Sequence, residues 1–370
     1  MPVIMYVRFL LPAAFLAYAG FVNVSVFTGP ALEQVREVED GLLSGAVTGE
    51  MDRLYTRAVP HRQTAFGWIG AARYALLGEG RAGVRAGRDG WLFTDEEMKI
   101  ASDDQIRQAA EWAGDLRARL SRAGTELVIV PLPAKADLYR DRLDGAAALA
   151  GAAMERQHAR FLSELGENGV PAVDVRPAMA AAASEAPVFL ARDTHWTPAG
   201  SDAVAGAIAA SGAVPTGEDE FLLRRETPTE LTGDLVSFVT TDALAARVGL
   251  GPEPVAPFTA HRVEPPAGGL FASEAPRVGT LLVGTSYSAD EAWSFLPALK
   301  HALRRDVLNY AASGQGPIRP MQAILDGPVF EGEGPDLVIW EFPIRYLADP
   351  DIWPAPPRAS AIANQEIPDA

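Results

Sequence analysis

The chain has 370 residues, of which 48% are hydrophobic and 22% charged, a composition typical of a folded globular protein with a substantial core. Its formal net charge of -16 disfavours a nucleic-acid partner, because no basic field is present to displace phosphate counterions. The sequence contains no cysteine, which excludes disulfides, thiolate metal ligands and a cysteine nucleophile.

Residues 1–30 are predicted to form a membrane anchor or an export signal. Arg8 precedes an apolar run from Phe9 to Phe27, and acidic residues follow that run. A helix needs about 20 apolar residues to cross a bilayer, and a cation before the run favours a cytoplasmic amino end. The segment Ala17–Ala19 also has the small-x-small form of a signal-peptidase site, so retention and cleavage are both open. A buried amino-terminal helix is the alternative.

The remainder is predicted to contain a helical accessory segment at residues 31–80, an α/β domain at 81–350 and a disordered tail at 351–370. In the domain, short apolar runs alternate with stretches of helical periodicity, which predicts a mostly parallel sheet covered by helices on both faces. The predicted strands are Trp91–Phe93, Glu126–Val130, Pro171–Val175, Thr280–Val283, Asp306–Tyr310 and Asp336–Trp340, and helices are predicted at Asp103–Arg122 and Ala152–Leu165. Asp103 or Asp104 is expected to cap the first helix, and Gly124 to close it.

A serine follows one of these strands, at the sheet edge where ligands of α/β proteins bind. The turn Gly284-Thr285-Ser286 is predicted to lie between a buried strand and a helix. Free backbone N–H groups at that helix start can receive a developing oxyanion. The plain alternative is an ordinary helix cap formed by Ser286 or Ser288. Ser288 is the second candidate for the nucleophile.

The segment Asp193-Thr194-His195 supplies the other two groups of an acyl-transfer site. A serine hydroxyl becomes a good nucleophile when an imidazole takes its proton and a carboxylate holds the tautomer of that imidazole. Thr197 followed by Pro198 predicts a helix start that anchors this segment. An isolated Asp-x-His also occurs often by chance. As a metal site, the pair lacks an obvious third and fourth ligand.

Five segments together resemble the periplasmic alginate O-acetyltransferase family typified by AlgJ and AlgX, whose domains are SGNH-hydrolase-like. They are Gly87–Phe93, Val130–Lys135, Asp193–Thr197, Val283–Ser288 and Trp340–Tyr346, in the order of the family. The resemblance implies that Ser286 is the nucleophile, His195 the general base and then acid, and Asp193 its orienter. In ordinary SGNH enzymes the serine precedes the aspartate and the histidine in the sequence. In this chain, as in the family, Asp193 and His195 precede Ser286. The order along the chain does not prevent the three side chains from meeting. The carbohydrate-binding domain of AlgX-like members does not fit after residue 350, which favours the AlgJ-like branch.

Other polar and aromatic residues near predicted strand ends are candidates for ligand contacts. The substrate-binding candidates are Lys135, Tyr139, Trp196, Tyr287 and Arg345. Trp196 is expected to be exposed and to stack on a sugar face. Glu341 is a further candidate, and structural salt bridges would explain the charged residues equally well. Asn309 and Gly316 are candidates for the oxyanion site, although a strand end and a turn would also account for them.

The predicted function is the transfer of acetyl through a Ser286 acyl-enzyme onto hydroxyls of an exopolysaccharide. The resemblance implies a membrane-bound O-acyltransferase as the acetyl donor and a periplasmic location, anchored by the amino-terminal helix or free if that helix is cleaved. The mechanism requires no metal and no organic cofactor. The alternatives are a carbohydrate acetylesterase with the same triad and a non-catalytic polysaccharide-binding or assembly factor.

Overall fold

A computed structural model describes residues 2–29, 46–263, 279–330 and 334–353. The chain divides into two units, Met1–Ile69 and Gly70–Ala370. The helices are α1 (Pro2–Thr28), α2 (Ala46–Ala58), α3 (Arg62–Leu77), α4 (Asp103–Arg122), α5 (Lys135–Leu138), α6 (Gly145–Glu167), α7 (Arg176–Ala182), α8 (Pro198–Ser211), α9 (Asp242–Ala245), α10 (Ser286–Ala289), α11 (Phe295–Leu303) and α12 (Ile318–Asp326). The strands are β1 (Val84–Ala86), β2 (Leu92–Thr94), β3 (Glu126–Leu132), β4 (Phe221–Arg225), β5 (Thr229–Leu231), β6 (Glu253–Val255), β7 (Phe258–Arg262), β8 (Thr280–Val283), β9 (Leu308–Asn309) and β10 (Leu337–Pro343).

The smaller unit contains α1 and α2, which share an apolar cluster of Val22, Val26 and Leu54. Among the helices of the described residues, none combines the length and the apolar character needed to cross a membrane. The predicted amino-terminal membrane helix is therefore not confirmed. The predicted tail lies outside the described residues from position 354 onward, as does the first part of the predicted accessory segment up to position 45.

Four parallel strands form the central sheet of the larger unit, in the order β3, β10, β8, β9. All seven residues of β10 pair with β3, and its first four also pair with β8 on the other side. The prediction of a mostly parallel sheet is confirmed. The strand predicted at Pro171–Val175 contributes one bridge, between Ala172 and Ile129, and the strand predicted at Asp306–Tyr310 shortens to β9.

Side chains of the sheet alternate between two apolar cores, because successive residues of a strand point to opposite faces. Leu282 and Ile339 belong to one core, which also contains residues of α8 and α11. Leu281 and Val338 belong to the other core, together with residues of α4, α6 and α12. Helices therefore cover both faces of the sheet, as predicted.

The helix α4 begins and ends where the sequence predicts, but a different residue caps it. The Ser102 side chain accepts the N–H of Gln105, and the Gln105 side chain accepts the N–H of Ser102, which is a complete capping box. The prediction that Asp103 or Asp104 is the cap was wrong by one residue, since both lie inside the first turn. Gly124 closes the segment with a φ of 77°, a conformation that favours glycine.

Candidate active site

Ser286 stands at the carboxyl end of a central strand. β8 ends at Val283, and Thr285 is the cap of α10, accepting the N–H of Tyr287 at 3.4 Å. A threonine after four buried apolar residues ends the strand and begins the helix, because its hydroxyl satisfies an amide that the helix cannot. Ser286 is partly exposed, whereas Thr285 and Tyr287 are buried. The turn thus presents one hydroxyl to the surface.

The loop that carries Asp193 and His195 is closed by its own backbone. The N–H of Leu190 donates to the carbonyl of His195 at 3.1 Å. Thr197 then caps α8 by accepting the N–H of Gly200, as the Thr-Pro sequence predicts. A Cβ at Gly200 would lie 2.2 Å from the carbonyl oxygen of Val188, so the close approach of α8 to this loop requires glycine.

The two segments meet in a single line of hydrogen bonds. Asp193 Oδ1 lies 2.7 Å from Nδ1 of His195, and Nε2 of His195 lies 2.7 Å from Oγ of Ser286. The carboxylate fixes the tautomer that carries the proton on Nδ1, which leaves Nε2 to accept the serine proton. The structure therefore brings together the three residues predicted as the triad, although 91 positions separate His195 from Ser286.

Asp193 is buried and is held as an anion by its partners. Burial raises the pKa of this carboxyl, but the hydrogen bond and charge of His195 and the N–H of Asp234 outweigh burial and bring it below its ordinary value. Asp193 Oδ1 also accepts the backbone N–H of His195 at 2.9 Å. A permanent negative charge at this position stabilises the imidazolium that forms when His195 takes a proton.

Aromatic rings enclose the imidazole. The Trp293 ring stacks on His195 at 5.1 Å with an angle of 15°, and the Tyr287 ring is tilted against it at 4.9 Å. Trp293 was not predicted as a site residue. Its position seven residues after Ser286 was the only feature of the sequence that placed it near the site. The two rings restrict the orientation of the imidazole and limit the access of water to it.

Asp234 is a second residue that the sequence analysis missed. Its Oδ1 accepts the N–H of Thr194 at 2.8 Å, and its own N–H donates to Asp193 Oδ2 at 2.8 Å. Although part of Asp234 is exposed, desolvation of its carboxyl and the charge of Asp193 raise its pKa. No spacing rule connects a residue 41 positions away to the loop, so the fold alone identifies it.

The same three side chains could coordinate a cation. One ligand atom each from Asp193, His195 and Asp234 lies within 4.8 Å of the others. The fold thus adds to the Asp-His pair a third possible ligand, Asp234, which no recognisable spacing in the sequence indicates. In this arrangement, Asp193 and Asp234 already accept the hydrogen bonds of the loop, and His195 contacts Ser286. The hydrogen bonding matches an acyl-transfer relay.

Lys135 lies beneath this loop and not in a substrate-binding surface. Its Nζ donates to the carbonyls of Leu92, Ala191 and Asp193 at 2.6, 3.0 and 2.9 Å, and the residue is 1% exposed. Burial lowers the pKa of the amine to about 8. All three protons of the ammonium group have protein acceptors, so Lys135 holds the Asp193 loop and has no donor left for a ligand.

Tyr139 and Trp196 also differ from the prediction. The hydroxyl of Tyr139 accepts the N–H of Val188 at 2.8 Å, which gives this residue a structural contact. Trp196 is 0% exposed, and its Nε1 donates to the carbonyl of Tyr287 at 3.0 Å. The prediction that Trp196 is exposed was wrong, because its ring packs in the core against Tyr287 and Phe295 and offers no face to a sugar.

Tyr287 and Arg345 support the loop from the serine side. The hydroxyl of Tyr287 donates to the carbonyl of Thr194 at 2.6 Å and accepts from Nη1 of Arg345 at 2.9 Å. Nε of Arg345 also pairs with Glu96 at 2.9 Å. Burial raises the pKa of the Tyr287 hydroxyl, so the phenol stays protonated and can donate. Both residues are buried, and their contacts are structural.

The two oxyanion candidates lie in different places. Asn309 is exposed and donates to the carbonyl of Ser288 at 2.7 Å, which puts it beside the nucleophile helix. Gly316 lines a separate groove with Arg319 and Tyr346, and none of the described contacts joins it to the triad. Its φ of 63° explains the glycine as a turn residue. The oxyanion role of Asn309 stays a prediction, and Gly316 is not brought to the triad.

Comparison with known proteins places the chain in a family. The family described as "SGNH hydrolase-like domain, acetyltransferase AlgX" matches residues 84–344. The chain belongs to this AlgX family. The match covers the whole sheet and both segments of the relay, and its limits agree with the segments on which the resemblance was based.

Relatives of this chain include proteins called AlgJ. The chain is 36% identical over 319 residues to the probable alginate O-acetylase AlgJ of Pseudomonas syringae pv. tomato, covering 84% of this chain and 80% of that protein. The alginate biosynthesis protein AlgX of Pseudomonas aeruginosa is 27% identical over 269 residues, which cover 70% of this chain and 55% of that protein. The predicted likeness to AlgJ is confirmed.

A solved structure is also similar to this chain. The O-acetyltransferase domain of Pseudomonas putida AlgJ superimposes with a TM-score of 0.63 at 33% identity, covering 73% of this chain and 93% of that domain. The prediction of an SGNH-hydrolase-like α/β fold is therefore confirmed.

Proposed function

We propose that this chain transfers acetyl groups onto hydroxyls of an exopolysaccharide, of the alginate type, through an acetyl-Ser286 intermediate. The observation that carries the proposal is the line of two 2.7 Å contacts joining Asp193, His195 and Ser286 in a member of an acetyltransferase family. The relatives named as alginate O-acetylases support the acceptor class. A serine hydroxyl, an imidazole and a buried carboxylate in this order are the groups that acyl transfer uses.

In the first half of the reaction, Oγ of Ser286 attacks the carbonyl carbon of an acetyl donor while Nε2 of His195 takes the serine proton. The negative oxygen of the tetrahedral intermediate needs N–H donors beside Ser286. The candidates are the first amide of α10 and the exposed side chain of Asn309. Collapse of the intermediate breaks the bond to the leaving group, which receives the proton from His195. The acetyl group then remains on Ser286.

In the second half, a sugar hydroxyl attacks the acetyl-serine carbonyl and gives its proton to His195 Nε2. Collapse returns that proton to Ser286 Oγ and releases the acetylated sugar. Water in place of the sugar would give free acetate, which is the esterase reaction. The partial exposure of Ser286 allows a polymer to approach its hydroxyl, while the Trp293 ring covers one face of His195.

We place this activity in the periplasm, with a membrane-bound O-acyltransferase supplying the acetyl group. Acetyl-CoA is not expected outside the cytoplasm, so the acetyl group has to be handed over by a membrane protein. The apolar run from Phe9 to Phe27 supports export of the chain. No metal or organic cofactor takes part in these steps.

The experiment that tests the proposal is mass spectrometry of the chain after incubation with p-nitrophenyl acetate. The expected result is an increase of about 42 Da on the peptide that contains Ser286, the mass of one acetyl group held covalently. The Ser286→Ala variant should gain no adduct, and Ser288→Ala should keep it. An unmodified Ser286 in the wild type, or full labelling of Ser286→Ala elsewhere in the same turn, would overturn the mechanism.

The acceptor is tested by adding oligomannuronate to the acetylated chain. Acetylated oligosaccharide is the expected product. Free acetate alone would favour the esterase reaction. An adduct that transfers to neither acceptor would favour a binding or assembly role.

A further inference from the structure

A carboxylate lies buried directly against the nucleophile turn, and the reaction described above does not use it. Glu341 is on β10, one of the two interior strands of the sheet, and is 0% exposed. By the alternation of the strand, it shares its face with Leu337 and Ile339, which belong to the apolar core. A carboxylate in such a position is strongly destabilising unless hydrogen bonds compensate for the lost water.

Three donors compensate, and all of them come from the turn that carries Ser286. The N–H of Thr285 donates to Glu341 Oε2 at 3.1 Å, and the Thr285 hydroxyl donates to Oε1 at 3.0 Å. The Ser288 hydroxyl donates to Oε2 at 2.6 Å. Burial raises the pKa of the Glu341 carboxyl, while these hydrogen bonds oppose the rise. The contacts hold the chain on both sides of Ser286 and leave its own hydroxyl to bond with His195.

Gly284 shows how closely the turn approaches this carboxylate. A Cβ at Gly284 would lie 2.4 Å from Glu341 Oε2 and 3.0 Å from its backbone oxygen. Real Cβ atoms do not make contacts at 2.4 Å, so a side chain at this position would push the turn away from β10. The motif Gly-Thr-Ser-x-Ser therefore has a physical explanation. Its first, second and fifth residues face Glu341, and its third faces His195.

We propose that Glu341 is a positioning residue that aims the Ser286 hydroxyl at His195 by fixing both flanks of the nucleophile turn to β10. It contacts neither reacting atom and acts through Thr285 and Ser288. The inference rests on the proposed function. It also assigns Ser288, the second candidate for the nucleophile, to the anchor: its hydroxyl is buried and bonded to Glu341.

The test is the kinetics of acetylation by p-nitrophenyl acetate in Glu341→Gln. The amide keeps the shape of the side chain but replaces one acceptor oxygen with an NH2 donor, so the flanks of Ser286 loosen. A misplacement on the order of 1 Å can lower a rate about 100-fold, and we expect the acetylation rate constant to fall about 10- to 100-fold. The KM for the ester should change less than about twofold, because the variant alters transition-state geometry and not ester binding.

Glu164→Gln is the matched control, because Glu164 is also a buried carboxylate but lies on α6, where Arg160 pairs with it. This control should acetylate Ser286 at the wild-type rate. Ser288→Ala removes one anchor and should lower the rate about 3- to 10-fold, a smaller loss than that of Glu341→Gln because two donors remain. If Glu341→Gln does not fold, the acetylation rate of Ser288→Ala tests the positioning role in its place.

Each outcome has a defined meaning. Failure of the wild type to form acetyl-Ser286 removes the proposed function and this inference with it. A wild type that is acetylated, beside Glu341→Gln and Ser288→Ala variants of normal rate, overturns the positioning role alone. A loss of rate that only matches the unfolded fraction measured by circular dichroism also overturns it, because the carboxylate would then serve stability and not alignment.

Discussion

The two segments that meet at the relay are supported in different ways. The loop Asp193–Thr197 is held by charged side chains from distant parts of the chain, namely Lys135, Asp234 and Glu253, the last of which accepts the amides just before the loop. The turn Gly284–Ser288 is held by the strand that precedes it and by one carboxylate on the neighbouring strand. The loop is therefore supported by side chains from several distant elements, whereas the turn is supported by two neighbouring strands of the sheet.

The difference is also visible in the two buried carboxyls. Hydrogen bonds from His195 and Asp234 bring the pKa of Asp193 below its ordinary value, while burial raises the pKa of Glu341. Asp193 faces a group that becomes positive during the reaction, and Glu341 faces neutral hydroxyls and an amide. Asp193 therefore stabilises the positive charge that forms on His195, whereas Glu341 fixes the position of the turn that carries Ser286. The following variants separate these roles.

The largest effect is expected from Asp193→Asn. An amide in place of the carboxylate removes the charge that stabilises the imidazolium and favours the wrong tautomer of His195. Loss of the same group in another triad lowers kcat about 10⁴-fold, and we expect a similar fall in the acetylation rate of Ser286. Asp202→Asn, an exposed change on α8, is the control and should have no effect. An Asp193→Asn rate within about tenfold of the wild type would contradict an electrostatic role for the loop.

A large effect on stability is expected from Lys135. Burial lowers its pKa from 10.5 to about 8, so between these values the unfolded state binds more protons than the folded state. The free energy of unfolding should therefore rise with pH across that window, by about 2–3 kcal/mol from this residue. Lys135→Met should lose that part of the rise in denaturant titrations at pH 8 and pH 10.5.

Lys300→Met is the control for this measurement, because Lys300 pairs with Asp306 near the surface. It should keep the wild-type dependence on pH. An equal rise in Lys135→Met and in the wild type would mean that the buried ammonium group does not titrate in this range.

A smaller effect is expected from Asp234. In Asp234→Ala the amide of Thr194 loses its acceptor, so the loop loosens and the acetylation rate should fall about tenfold. In Asp234→Asn the side-chain oxygen can still accept that amide, and the rate should stay within about threefold of the wild type. Equal losses in the two variants would show that the charge of Asp234, and not its hydrogen bond, supports the loop.

No effect is expected from removal of metal ions. Asp193, His195 and Asp234 lie close enough to bind a cation, but their hydrogen bonds already form the relay. Treatment with EDTA should leave the acetylation rate of Ser286 unchanged. A fall in the acetylation rate that added Zn²⁺ reverses would show that the loop is a metal site and not part of an acyl-transfer relay.

The turn could be predicted from the sequence because its determinants are local. Thr280–Val283 is a buried apolar strand, and Gly284 to Ser286 mark its end, so both the element and the position of the hydroxyl follow from the pattern. His195 and Asp193 could be predicted as a pair, but their contact with Ser286 depended on the resemblance to a family. The triad geometry agrees with that prediction, and the catalytic roles await the experiments above.

The supports of the loop could not be predicted in this way. Lys135 and Trp196 have residue types that suggest ligand binding, and only the fold reveals that they are buried and bonded to backbone carbonyls. Asp234 reaches the loop from a sequence distance of 41 residues, and Glu341 reaches the turn from a distance of 53 residues. No periodic pattern encodes such contacts. Their positions follow from the order of the strands and from tertiary packing.

The order of the strands has a consequence for biosynthesis. β10 lies between β3 and β8 in the sheet, yet it is the last strand in sequence among the described residues. When the ribosome has not yet reached residue 337, Asp193, His195 and Ser286 have been synthesised. The strand β10, which pairs with both β3 and β8, has not. The nascent polypeptide therefore cannot assemble its reactive centre early. The sheet can close only after this last strand has been made.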